Sequence, residues 1–245
     1  MLARVAAIAG SVFMDAVRKR VVILVGFFGV ALALLIPSLP SYGLGVAVGV
    51  YREVALALTF AAGVALTLGL AANRLPGELE RRTVYNVLAK PVRRVEYLAG
   101  TWAGITAVAG AAIAMLTVVE QVVGLVRYQD AMWRLWEGAL AIWLETGVVA
   151  AVAVAVSSVA GPVVVVVASL AVLFIGHART SALGAGTPRI VRFVYPSLDA
   201  FNVINPVAHG AGIGLVDVGA MLLSFVGWVG LVALAGALAF RRRDL

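Results

Sequence analysis

Six stretches of this sequence are long apolar runs with almost no charge inside them, and no other feature limits the fold as strongly. They are Val21–Ser38, Val50–Ala72, Tyr97–Val119, Leu135–Val156, Val163–Ile175 and Leu215–Phe240. A helix of roughly 20 mostly apolar residues crosses a hydrocarbon core of about 30 Å. The fifth run is short unless it begins before Pro162. Composition points the same way: 63% of residues are hydrophobic, 13% are charged and the mean hydropathy is +1.05. Soluble globular chains run at about 45–50% apolar and about 25% charged. A soluble fold has no way to hide this much apolar surface, so the expected fold is an all-α integral membrane protein with six transmembrane helices.

The net charge of +7 would suggest nucleic acid in a soluble protein. Here the basic residues gather at the ends of apolar runs, which is how topology is set in membranes. With the N-terminus inside, Arg4, Arg18, Lys19, Arg20, Arg74, Arg81, Arg82, Lys90, Arg93, Arg94, Arg241, Arg242 and Arg243 fall on the cytoplasmic side. Arg52, Arg127, Arg134, Arg179, Arg189 and Arg192 fall outside. Both termini are expected in the cytoplasm, and an even number of spans keeps the final arginine run there. Nucleic acid is not an expected partner. The N-terminus does not read as a cleaved signal peptide, because its charges follow the weak apolar stretch.

Several chemistries are excluded. The chain has no cysteine, which removes disulfides and thiolate metal sites. Its lysines, Lys19 and Lys90, do not follow a glycine, so a phosphate-binding P-loop is missing. No GxSxG elbow, HExxH helix or dinucleotide fingerprint is present. The chain is therefore not expected to be an enzyme or to bind a metal or cofactor itself.

The first twenty residues read as a different element. Leu2, Val5, Ala6, Ala9, Val12, Phe13 and Ala16 recur at helical spacing on one face, with Arg4, Ser11, Asp15, Arg18 and Lys19 largely off it. Asp15 and Lys19 stand at i,i+4. Such a helix lies along the headgroup boundary. Within and just beyond the charged stretch Asn73–Glu96, the segment Pro76–Gly100 is the most distinctive. Pro76-Gly77 predicts a break after the second span. Glu78 and Glu80 would then open a short helix, where carboxylates complement the dipole, and Lys90-Pro91 would close it. Val84, Val87 and Leu88 give that helix an apolar stripe, while Arg93 and Arg94 pin the next span at the interface. A solvated basic loop that only sets topology is the alternative reading.

The run Glu80-x-x-Thr83 followed by Leu88-Ala89-Lys90-Pro91-Val92-x-Arg94-x-x-Tyr97-Leu98-x-Gly100 resembles the cytoplasmic loop of type 2 ABC-transporter permeases. Ser157-Ser158 with Gly161-Pro162 resembles that family's short turn between spans four and five. Tyr195-Pro196-Ser197-Leu198-x-x-Phe201-Asn202 resembles its stretch ahead of the last span, and Phe240-Arg241-Arg242-Arg243-Asp244-Leu245 its usual ending. Arg82 stands before Thr83 where many members carry glycine. The resemblance implies a single permease domain over residues 1–245, with an interface helix over 1–20, a coupling loop over 73–96 and an outer re-entrant segment over 176–214. It implies that Glu78, Glu80, Arg81, Arg82, Thr83 and Tyr85 contact a separate ATP-binding subunit, which carries the ATP and Mg. It also implies a second permease, alike or different, in the inner (plasma) membrane, and an exporter. A membrane scaffold without transport and a self-contained carrier are the rival readings.

Glu145 stands near the middle of the fourth run, where an ionisable group is costly and marks either a translocation path or a structural hydrogen bond. As a structural group it would meet Thr59 or Thr67. Tyr51, Arg52 and Glu53 fall at the outer end of the second run. Tyr128, Trp133 and Trp136, with Arg127 and Arg134, read as interface anchors. His177, Asp199 and His209 read either as a metal set or as separate interface groups. Gly63, Gly69, Gly100, Gly104 and Gly110 would permit close helix packing.

Overall fold

The computed structural model describes residues 1–18, 23, 26–31, 44–80, 93–177 and 198–241. The helices are α1 (Leu2–Arg18), α2 (Leu44–Glu80), α3 (Arg94–Tyr128), α4 (Leu135–Ser157), α5 (Pro162–His177), α6 (Ile204–Ala208) and α7 (Leu215–Arg241), with a 3₁₀ turn at Asp199–Phe201. No strand occurs among the described residues. Among the described residues, four helices are long and apolar enough to cross a membrane: Val46–Arg74 within α2, α3, α4 and Leu215–Ala239 within α7. The chain is therefore a helical, membrane-embedded protein. Most of the first expected span lies outside the described residues, which include Ile23 and the helical residues 26–31 of it. The fifth, α5, has 16 residues and a length of about 24 Å, short of the bilayer core.

α4 is the axis of the bundle. It is apolar on every side, the pattern of a helix enclosed by others, and nearly all of it from Ala139 to Val154 is buried. Leu56 beside Gly138 and Thr146 beside Gly63 show that α2 runs parallel to it. The Trp143 indole donates to the Thr106 carbonyl at 3.0 Å and the Trp102 indole to the Gly147 carbonyl at 2.9 Å, so α3 runs antiparallel. α7 crosses α4 through Phe225 at Gly147 and Gly236 at Ala155. Small residues make these approaches possible. A Cβ on Gly110 would sit 2.6 Å from the Trp143 indole nitrogen, and one on Gly138 2.8 Å from Leu56. At Gly69, a Cβ would meet nothing within 4 Å among the described residues.

One local expectation changes. Helix α2 continues through Pro76-Gly77 to Glu80, where the sequence predicts a break. A proline inside a helix forfeits one backbone bond and costs about 3 kcal/mol. The turn ahead of it is fastened by Asn73, whose side-chain amide donates to the Gly69 carbonyl at 2.7 Å, and by Arg74. The expected turn between the fourth and fifth runs does occur: α4 ends at Ser157 and α5 begins on Pro162, the first helical position, where proline needs no backbone donor.

Candidate functional site

Polar groups concentrate at three levels of the bundle. The end that carries Arg74, Arg94 and Arg241 is its basic end, and α1 packs there. Arg4 meets Glu96 at 3.5 Å, Ile8 covers Gly100 and Val12 covers Gly104. Each step of four residues along α1 thus matches a step of four along α3, so the two helices run parallel and in register. The amphipathic pattern of α1 is as expected. Its apolar face, however, is turned into the bundle, with Val12 and Ala16 buried, whereas Leu2, Met14 and Val17 are exposed. Asp15 pairs with Arg74 of α2 at 2.7 Å, and Lys19, its expected intrahelical partner, lies outside the described residues. Glu96 is buried and also accepts the Arg93 backbone N–H at 2.9 Å, closing the first turn of α3. α1 is therefore joined to the last described turns of α2 and to the first turn of α3, the two helix ends that bracket residues 81–92.

Of the residues expected to contact an ATP-binding subunit, Glu78 and Glu80 lie on the helical end of α2. Arg81, Arg82, Thr83, Tyr85 and Pro91 fall outside the described residues. Arg93 precedes α3 in extended conformation (φ −75°, ψ 145°) and Arg94 opens the helix.

At mid-bundle, Glu145 is 2% exposed on α4. Its partner is neither Thr59 nor Thr67 but His177, the last residue of α5, with Nε2 3.4 Å from Oε1. That separation suits an ion pair, and the carboxylate oxygen is not aligned for a hydrogen bond. His177 Nδ1 lies 3.2 Å from the Leu173 carbonyl, which can only accept, so Nδ1 carries a hydrogen there. The ring of Phe60 stands 6.0 Å from the imidazole. His177 therefore belongs with Glu145. Among the described residues no group of three or more acidic, histidine or cysteine side chains is disposed to hold a metal.

The third level contains an acid that sequence reading missed. Glu120 is fully buried in α3; Thr59 donates a hydrogen bond to its Oε1, and Oε2 has no partner. The Tyr51 hydroxyl donates to the Glu120 backbone carbonyl at 2.6 Å and its ring lies 5.3 Å from that of Tyr128. Tyr51 is thus a core residue. Arg52 turns to Asp130 at 2.6 Å, and Asp130 accepts the Met132 N–H at 2.9 Å, fixing the α3–α4 corner. Trp133 is exposed as an anchor should be, and the Trp136 indole donates to Gln121 at 3.1 Å. A third run that stops at Val119 leaves Glu120 out; the apolar residues continuing beyond it, Val122 to Val126, are the signal that the helix goes on.

No protein-family model matches this chain, and a search of curated proteins returns no match.

Proposed function

We propose that this chain is the membrane-spanning permease subunit of an ATP-driven ABC transporter of type 2, working as an exporter. The observation that carries the reading is the joint at the basic end. α1 is fastened to α2 through Asp15–Arg74 and to α3 through Arg4–Glu96, so a push on the intervening residues 81–92 reaches three helices at once. In this reading a separate ATP-binding subunit, holding ATP and Mg, pushes the segment that includes Glu78, Glu80, Arg81, Arg82, Thr83 and Tyr85. Two permeases rock between access states in the inner membrane, with six spans each and both termini in the cytoplasm, an alternating-access scheme. Glu145 lines the path that opens. Mild extraction of the full chain should recover a P-loop ATPase, and reversing charge at Glu80 and Arg81 together should weaken that recovery. Extraction without an ATPase, or recovery indifferent to the reversal, argues against the coupling role. Wild-type flux and assembly in Glu145→Gln would remove Glu145 from the path.

One observation favours a second reading. A self-contained carrier needs several buried ionisable groups, and the bundle holds Glu120 and Glu145 with His177. Transport that persists in the purified chain without ATP would select it.

A further inference from the structure

The helices α3, α4 and α7 do not close on one another at the basic end. α7 lies on α4, where Gly236 meets Ala155, and a groove of about 180 Å³, open on one side, separates it from α3. Its walls are apolar: Val95, Leu98 and Trp102 from α3, Val154 from α4, Val229 and Ala233 from α7. From Val95 to Trp102, and from Val229 to Ala237, the groove runs about 10–12 Å along the helix axes. Leu234 and Leu238, next in sequence to the lining residues Ala233 and Ala237, are exposed and apolar. The described part of the first run does not cover it. Phe28 packs with Ala62, Leu66, Val108 and Ala112 on the face of α3 that also receives α1. Leu98 and Trp102 stand two residues out of step with Gly100 and Gly104, about 200° round that helix.

The charge at the mouth selects the occupant. Arg93 and Arg94 immediately precede the groove residue Val95, Arg93 is exposed, and α7 ends at Arg241, one turn beyond Ala237. An apolar slot within membrane-spanning helices, topped by arginines at one end, has the polarity of a phospholipid lying along a helix: acyl chain inside, anionic headgroup at the arginines. We propose that this groove holds one acyl chain of an anionic phospholipid and that Arg93 and Arg94 recognise its phosphate-bearing headgroup. The bound chain fills the space between α3 and α7 and fixes their separation.

Trp102 lines the groove and reports on it. The full chain, reconstituted in mixed phosphatidylglycerol and phosphatidylcholine with bromine on the acyl chains of one or the other, is compared with Trp102→Phe; the difference isolates quenching at Trp102. Brominated phosphatidylglycerol should quench at about one-fifth the mole fraction that brominated phosphatidylcholine requires, as expected for arginines beside an anionic headgroup. Arg93→Gln with Arg94→Gln should remove that preference and leave some quenching by both lipids, whereas Arg93→Lys with Arg94→Lys should keep it. Because Arg94 makes other contacts, Arg93→Gln alone provides a second reading and should halve the preference or more. Ala233→Phe should suppress quenching by both lipids by filling the slot. Equal quenching by the two lipids overturns the headgroup assignment. Absence of quenching by either overturns the site, as does Trp102 protected by a second copy of the chain cross-linked through a cysteine introduced at Ala233.

Discussion

Replacing Gly104 by alanine tests the packing of α1 on α3. The added Cβ would lie 2.6 Å from the Val12 Cβ and 2.9 Å from the Ala9 carbonyl oxygen. Carbon atoms rest at about 3.5–4.0 Å, so α1 must retreat by about 1 Å. Neither obstacle is the tip of a flexible side chain, and no rotamer relieves it. Overpacking of this kind costs about 1–3 kcal/mol. The retreat also stretches the Arg4–Glu96 contact, already 3.5 Å long, and so weakens a second tie. Released α1 does not enter water, because an amphipathic helix has the headgroup boundary as an alternative seat. A cost of about 2 kcal/mol therefore raises the released population about 30-fold. The chain has no cysteine, and Val12 is 2% exposed, so Val12→Cys places a single thiol at the interface. Its maleimide labelling should quicken about 30-fold when Gly104→Ala is added, in step with that population. Gly69→Ala, which meets nothing within 4 Å, should leave the rate unchanged. A Gly104→Ala protein that labels at the parental rate would refute the packing argument.

Three further outcomes follow from the polar contacts. His177→Leu leaves Glu145 buried without its partner and should cost about 1–3 kcal/mol, while adding Glu145→Leu should recover most of it; thermal unfolding in detergent measures both. Thr59→Val strands the second oxygen of Glu120 and should destabilise by about 1–3 kcal/mol, whereas Thr59→Ser should stay close to wild type in the same assay. Arg74→Asp should loosen α1 as read by the same introduced thiol, by at most a few-fold, since a partly exposed ion pair contributes about 0–1 kcal/mol. Combining it with Asp15→Arg should restore slow labelling, and high salt should weaken the restored pair.

The parts of this fold legible in the sequence are those where one signal dominates. α4 and α7 fall within a residue or two of their apolar runs, because Gly161-Pro162 and the polar residues near Arg134 and Asp217 bound them sharply. Where two signals compete, the boundary moves. A lone acid ends the third run at Val119, yet Thr59 satisfies one oxygen of Glu120 inside the bundle and α3 continues to Tyr128. Pro76-Gly77 outweighs the helical residues around it in the sequence, although the backbone passes through. The amphipathic face of α1 is readable from its spacing, but its seat is not. That requires knowing that Gly100 and Gly104 face α1, which is long-range information carried by the paired register of two distant helices. The Glu145–His177 contact is of the same kind, since the residues are joined only by the antiparallel return of α5.

The register between α1 and α3 also bears on how the protein is made. Val12 and the glycine it covers are separated by about 90 residues, so at about 5–20 residues per second α1 exists for roughly 5–20 s before its partner is synthesised. During that interval the part of its apolar face that later meets α3 has lipid or a chaperone to rest on, while Asp15 can already meet Arg74 once α2 is made. The amphipathic character that later packs against α3 thus first serves as a temporary berth at the membrane surface. A translational pause between the two segments lengthens that exposure, and the helix most vulnerable to it is the one whose binding site is made last.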